Sequence, residues 1–209
     1  MLLRMNGKIY TRNLTPGKSV YGEKLVRFND VEYREWDPYR SKLAGAIAKG
    51  LKTFEFNSES KVLYLGASTG TTVSHISDIC VDGSIYAVEI SKRMMIELLK
   101  LADVRDNIIP ILEDANHPER YKEIGEVDII YQDVAQPNQS EIFVKNIKQF
   151  RPKIAYLCLK TQSIDVSADP KEILDEELNR IGYKPLEIID LNPYDKHHYF
   201  LVFRISLEH

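Results

Sequence analysis

An α/β fold, built on a mostly parallel seven-stranded sheet and preceded by a small antiparallel β unit, follows from three features of this 209-residue sequence. From residue 61 onward, short apolar runs alternate with stretches of helical period, the signature of parallel strands covered on both faces. The first ~35 residues are instead broken by turn pairs, Asn6-Gly7, Pro16-Gly17 and Asn29-Asp30, which read as hairpin punctuation. Finally, the last two strands are joined tightly through Pro193-Tyr194-Asp195. No crossover helix fits there, so the last strand is expected to be antiparallel.

Lys8–Thr11 and Lys24–Phe28 are rich in β-formers and supply strands of the small sheet. Pro38 is expected to open a helix in which Leu43, Ala44, Ile47, Ala48 and Leu51 share one face, with Gly50 near its end. The expected strands of the large sheet are Val62–Leu65, Ile85–Val88, Ile108–Leu112, Val127–Tyr131, Ile154–Leu159, Leu186–Leu191 and Tyr199–Ile205. Between them, helices are expected near Thr72–Ile79, Lys92–Leu101, Gln139–Phe150 and Lys171–Ile181. This divides the chain into a small N-terminal β domain with its linking helix (1–52) and an α/β domain (53–206). Residues 207–209 read as the start of a tag scar.

Composition narrows the function classes. With 44% hydrophobic and 28% charged residues the chain can bury a core. No apolar run reaches the roughly 20 residues of a membrane span, and none resembles a secretory segment. Cys80 and Cys158 lie far apart in apolar surroundings and are expected to be buried free thiols, which points to a reduced, cytoplasmic setting. No zinc or EF-hand spacing occurs, so no metal is expected. The net charge of −3 argues against a chain that grips long nucleic acid unaided. Its distribution is uneven: residues 1–52 carry +6 and the remainder −9. A basic front on an acidic body can touch phosphates locally and leave most RNA affinity to partners; an unevenly charged solvated surface is the plainer alternative.

The sharpest local signal is the stretch Val62 to Thr72, a strand, a turn containing Gly66 and Gly70, and a Thr-rich helix start. Such a loop lets backbone approach a ligand and leaves helix N–H groups free. It is not a dinucleotide fingerprint, because Ser68 and Thr71 stand where glycines would be required. Residues 66–70 do match the G-x-S-x-G of a hydrolase elbow, with Asp133 and His198 following in hydrolase order, so a Ser68–Asp133–His198 serine hydrolase is an alternative. A third reading accounts for more residues. Glu89 ends the second strand of the α/β unit, Asp114 the third and Asp133 the fourth. Strand C-termini share one rim of an open parallel sheet, where ligands bind. A carboxylate for a ribose and another for an adenine amino group, beside a loop without pyrophosphate geometry, suit S-adenosylmethionine.

The sequence resembles the fibrillarin family, in its archaeal form. The resemblance rests on Tyr33-Arg34-Glu35-Trp36-Asp37-Pro38-Tyr39-Arg40-Ser41-Lys42-Leu43-Ala44, on Lys61 through His75, on Tyr86-Ala87-Val88-Glu89, Ile108-Ile109-Pro110 and Glu113-Asp114-Ala115, and on Asp133-Val134-Ala135-Gln136-Pro137. The Gly/Arg-rich tract of the nucleolar members does not occur, which favours the archaeal form. What the resemblance implies is a Rossmann-like, S-adenosylmethionine-dependent methyltransferase fold and RNA ribose 2′-O-methylation. It implies a catalytic set of Lys42, Asp133, Lys160 and His198, with His197 one residue away as a competing alignment. It also implies a box C/D guide RNA, a Nop-domain scaffold protein, a kink-turn-binding ribosomal-type protein, and rRNA or tRNA as target.

The residues bear on this independently to different degrees. By pattern alone Lys42 is an ordinary solvated helix lysine and His198 a packing or surface histidine. Lys160 differs, since it ends a wholly apolar strand at the ligand rim. It is the expected general base or alkoxide stabiliser, with Lys42 and partial desolvation pushing its pKa towards operating pH and Asp133 opposing. Expected cofactor contacts are Gly66, Ala67, Thr69, Gly70, Thr71, Thr72, Glu89, Asp114, Ala115, Asp133 and Gln136. A non-catalytic cofactor-binding assembly subunit is the remaining alternative.

Overall fold

In this computed structural model, which describes residues 2–205, alternate side chains of the large sheet point into two separate cores. The residues read as a tag scar lie outside the described part. Strands β1 (Leu2–Met5), β2 (Lys8–Arg12), β3 (Leu25–Phe28) and β4 (Val31–Glu35) form the small sheet in the order β1-β2-β4-β3, with every pair antiparallel. Helix α1 (Lys42–Ala48) leads into the large unit: β5 (Lys61–Leu65), α2 (Thr71–Ile79), β6 (Ser84–Glu89), α3 (Lys92–Ala102), β7 (Ile108–Leu112), β8 (Ile129–Gln132), α4 (Gln139–Phe150), β9 (Ile154–Lys160), α5 (Pro170–Ile181), β10 (Glu187–Asp190) and β11 (His198–Arg204).

The seven strands run in the order β10-β11-β9-β8-β5-β6-β7. Pairing is parallel from β7 across to β9, and β11 is antiparallel to both β9 and β10, as the short connection required. The strands read as unbroken apolar runs because both faces are covered. Val62 and Tyr64 of β5 face a core shared with α1, α2, α3 and the small sheet. Leu63 and Leu65 face Phe143, Ile147 and Phe150 of α4. Order reverses between β5 and β8, which makes the C-terminal ends of these strands the topological switch point.

Two local expectations are corrected. Pro38 does not open α1: Asp37 makes a turn, its Oδ1 accepting from the Tyr39 N–H and its carbonyl from the Arg40 N–H. The helix starts after Ser41, whose hydroxyl caps the Ala44 N–H. A short 3₁₀ stretch, Pro118–Ile124, was not anticipated; its tight turns carry no 3.6-residue period. Cys80 and Cys158 are buried and free, and burial pushes the Cys80 thiol up to about 12. No helix among the described residues is long and apolar enough to cross a membrane.

Buried charge fastens the small sheet to α2. Arg34 of β4 pairs with Glu23 and with Asp78 of α2, and Arg105 takes the other oxygen of Asp78. Thr11 of β2 donates to the same Asp78 carboxylate and contacts Nδ1 of His75, while Tyr21 contacts Nε2. His75 stacks on the buried Trp36 at 4.8 Å. Burial, followed by the Arg34 and Arg105 charges, holds His75 well below the usual histidine range, so the ring is neutral.

Candidate active site

The chain crosses the switch point in a turn that admits little besides glycine. Gly66 has φ +81°, and a Cβ there would lie 2.8 Å from the Asp133 carbonyl oxygen, so the β5 and β8 exits approach with no room for a side chain. Gly70, at φ +89°, caps α2, and a Cβ on it would meet Leu101 of α3 at 2.5 Å. Both glycines therefore have packing reasons, but only Gly66 borders a cavity.

That cavity, about 350 Å³, opens at the C-terminal ends of β5, β6, β8 and β9 and is bordered by Gly66, Ser68, Glu89, Asp114, Ala115, Asp133, Gln136 and Lys160, with apolar walls from Val88, Ile90, Met94, Val134 and Ile142. Its size and mixed lining suit a small organic ligand. The buried Glu89 accepts from the Ser68 N–H through one oxygen and from the Ser91 N–H through the other, each at 2.7 Å. This holds the carboxylate still, with lone pairs left for two vicinal hydroxyls. At Asp114, burial would raise the pKa, but Asn116 donates from its backbone and side chain to one oxygen and lowers it below the usual carboxylate range. Of the other loop residues named above, Ala67 and Gly70 are packed inside, Thr69 and Thr71 border a different cavity, and Thr72 hydrogen-bonds Ser41 behind the loop. Ser68, Val88, Ile90, Met94, Glu113, Val134, Ala135 and Ile142 also line the cavity and are not among the expected ligand contacts. An apolar residue beside a strand end carries no sequence mark.

Beyond Asp133 the four residues of the expected catalytic set come together, linked by a fifth. The Lys160 Nζ lies 2.8 Å from Oδ1 of Asp133 and donates to its carbonyl oxygen at 2.9 Å. The Lys42 Nζ reaches the same Oδ1 at 3.2 Å and Oδ2 of Asp195 at 3.4 Å. Asp195 in turn accepts from Nδ1 of His198 at 2.8 Å. His198 sits directly across from Lys160 in the β9–β11 pairing, whereas His197 stands in the preceding turn at φ +60°. Since Nδ1 faces only acceptors, Asp195 and the Lys196 carbonyl, it carries the proton and leaves Nε2 available. Burial alone would lower the Lys42 pKa, but the Asp133 charge, supported by Asp195, raises it above the ordinary lysine value; Lys42 is a fixed cation. Asp195 is held below the usual carboxylate range, burial being outweighed by the His198 hydrogen bond and the Lys42 charge.

Gln139, wholly buried at the start of α4, holds both backbone groups of Lys160: its Oε1 accepts from the Lys160 N–H at 2.9 Å and its Nε2 donates to the Lys160 carbonyl at 3.0 Å. Neither Gln139 nor Asp195 was expected to have a part. Asp195 could have been noticed from its place three residues before His198; Gln139 gives no such sign. The hydrolase alternative is not supported. Asp133 is engaged by two lysines rather than by His198, and His198 is oriented by Asp195, so Ser68, His198 and Asp133 make no relay.

Fold and cavity together define a Rossmann-like α/β protein with a ligand site at its switch point and a Lys–Asp–Lys–His cluster beside it. The sequence model of the family described as Fibrillarin matches residues 2–207, and the chain belongs to that family. A fibrillarin-like rRNA/tRNA 2′-O-methyltransferase of Thermoplasma acidophilum is 52% identical over 203 residues, covering 96% of this chain and 88% of its own. Among solved structures, Aeropyrum pernix fibrillarin with natively bound S-adenosyl-L-methionine aligns with a TM-score of 0.87 at 40% identity, covering 97% of this chain and 92% of its own. The fibrillarin of a fibrillarin/Nop5p complex aligns with a TM-score of 0.89 at 40% identity, covering 98% and 97%.

Proposed function

We propose that this chain transfers a methyl group from S-adenosylmethionine to ribose 2′-hydroxyls of rRNA or tRNA, as the catalytic subunit of a guide-RNA-directed box C/D ribonucleoprotein. The observation that carries the reading is the carboxylate of Asp133, shared by Lys42 and Lys160 at the wall of a cavity lined by Glu89 and Asp114. The lining fits the cofactor: Glu89 for the ribose hydroxyls, Asp114 for the adenine amino group, the bare backbone at Gly66 for close approach, and Asp133 with Gln136 for the methionine end. The fit is carried mainly by these residues; Ala67, Thr69, Gly70, Thr71 and Thr72 shape and support the loop.

When bound, S-adenosylmethionine supplies an electrophilic methyl group on a sulfonium sulfur. The chain's task is then to align a ribose hydroxyl and manage its proton. Lys42, cationic throughout the working pH range, stabilises developing negative charge on that oxygen. Lys160, reaching towards the cofactor cavity while anchored on both the carboxylate and the carbonyl of Asp133, is the group we assign to the hydroxyl proton: as a free amine it accepts that proton on Nζ and becomes an ammonium beside the carboxylate. Nε2 of His198 positions the ribose.

The Nop5p complex of a relative supports a Nop-domain scaffold as partner. In this reading a kink-turn-binding protein anchors the guide RNA, and base pairing selects the nucleotide, consistent with a catalytic subunit whose net charge is −3. The test is incorporation of labelled methyl groups into a target RNA, with and without scaffold, kink-turn protein and guide. Transfer should fall on one guided ribose, and Lys160→Ala should lower kcat by roughly a hundredfold or more while cofactor binding by calorimetry is retained. An assembly that forms and binds cofactor yet transfers nothing would replace this reading with that of a non-catalytic assembly subunit.

A further inference from the structure

Asp133 borders a second, smaller cavity of about 100 Å³, on the Lys42 side, which runs between the 38–45 segment and the 191–195 turn. The catalytic carboxylate thus faces two spaces: a large one containing Lys160 and a small one containing Lys42 and Asp195. Two side chains bordering the small space are not used by anything described so far. Tyr39 is 66% exposed, with its ring edge-on to Tyr194 at 5.1 Å. Arg40 is also exposed and, among the described residues, its guanidinium makes no ion pair or hydrogen bond; it rests 5.6 Å from the ring centroid of Tyr21. The Asp37 turn fixes both backbones, and Ser41 then caps the helix that begins with Lys42. An exposed aromatic and an unspent guanidinium are therefore tied rigidly, three and two residues away respectively, to the lysine assigned to the reacting oxygen.

We infer that Tyr39 and Arg40 form a sugar–phosphate clamp that seats the target RNA strand over the small cavity, an inference that rests on the function proposed above. Arg40 takes a backbone phosphate through its free N–H edge, and Tyr39 packs against a neighbouring ribose. The chemistry of the substrate points the same way. A target strand paired to a guide is an A-form duplex, whose bases are committed to pairing and whose shallow groove presents 2′-hydroxyls flanked by phosphates. A planar guanidinium suits a phosphate, and a tyrosine ring covers a sugar face at small entropic cost. Contacts of this kind position the strand without reading sequence. They also place the basic charge where a phosphate must approach a chain whose residues beyond 52 are net negative.

The experiment uses the reconstituted complex with two unrelated guide–target pairs, comparing wild type with Arg40→Ala, Arg40→Lys and Tyr39→Ala. Arg40→Ala should raise KM for target RNA roughly tenfold, the size of one lost charge-assisted hydrogen bond, with kcat at saturating RNA retained. It should also reduce the slope of log binding constant against log salt by about one, equally for both targets, and Arg40→Lys should restore that slope. Tyr39→Ala should raise KM for both targets alike and leave the salt slope unchanged. Cofactor affinity and thermal melting should match wild type in all variants. Unchanged KM and slope in an active complex would overturn the clamp alone. A Tyr39→Ala defect that depends on the identity of the target base would also overturn it, in favour of base stacking. A wild-type complex that assembles, binds cofactor and transfers nothing would overturn the underlying function instead.

Discussion

Asp133 receives two lysine nitrogens within 3.2 Å on a single oxygen, an arrangement that asks for exact placement of three side chains, from the start of α1, the exit of β8 and the end of β9. Asp195 contributes by coupling two of the remaining groups, with Lys42 on one oxygen and the Nδ1–H of His198 on the other. Replacing it with Asn keeps the shape and removes the charge. The expected outcome for Asp195→Asn is a fall in kcat of roughly ten- to a hundredfold with unchanged cofactor affinity, read by steady-state kinetics and calorimetry, and partial recovery in Asp195→Glu. If cofactor affinity fell in proportion to kcat, Asp195 would be supporting the fold of the cavity rather than orienting the cluster. At this scale the sequence was informative for residues whose position relative to a strand end is itself functional. Glu89, Asp114 and Asp133 stood out because each follows an apolar run. Lys42 did not, because a lysine in an amphipathic helix looks the same whether it meets water or a half-buried carboxylate.

Among the elements, the β9 terminus and the start of α4 act as one piece. Gln139 supplies both hydrogen-bond roles of its amide to the backbone of Lys160, and its own carbonyl accepts from Nε2 of Gln132 at 2.6 Å. The last residue of β9 is thereby fixed where the ladder to β11 ends at His198. Gln139→Ala strands buried backbone groups and should cost about 1–3 kcal/mol of stability in denaturant unfolding. Methyl transfer should drop further than the loss of folded protein accounts for, since the Lys160 backbone is released. The helical period did locate α4, with Gln139 as its first residue, but period says only which face is apolar. It is silent on a buried amide that grips another element's end.

For the molecule as a whole, the small sheet and α2 are joined by a neutralised set of buried charges, Arg34, Arg105, Glu23 and Asp78, around a neutral His75. This makes folding sensitive to acid. The folded-state pKa of His75 lies below the ordinary value, so below about pH 6.5 the unfolded chain binds a proton that the folded one excludes. Stability therefore decreases as pH falls through that value, by up to about 1.4 kcal/mol per pH unit from this group, until the folded-state pKa is reached. Urea unfolding of the wild type between pH 5 and 8 should show this slope, and His75→Phe, which removes the titrating ring while keeping an aromatic on Trp36, should lack the part due to His75. The alternation of strands and helices, the antiparallel last strand, the glycine turn and the acids at the strand ends are all legible in the order of the residues. Each depends on interactions within a few residues or on burial of a whole run, and both leave a local pattern. It takes the packed molecule to show that one carboxylate serves two lysines, 91 and 27 residues away, that Asp195 links Lys42 to His198, and that an arginine of the front sheet is locked into α2. Contacts between charges distant along the chain leave no period to read, because what fixes them is the packing that brings the elements together.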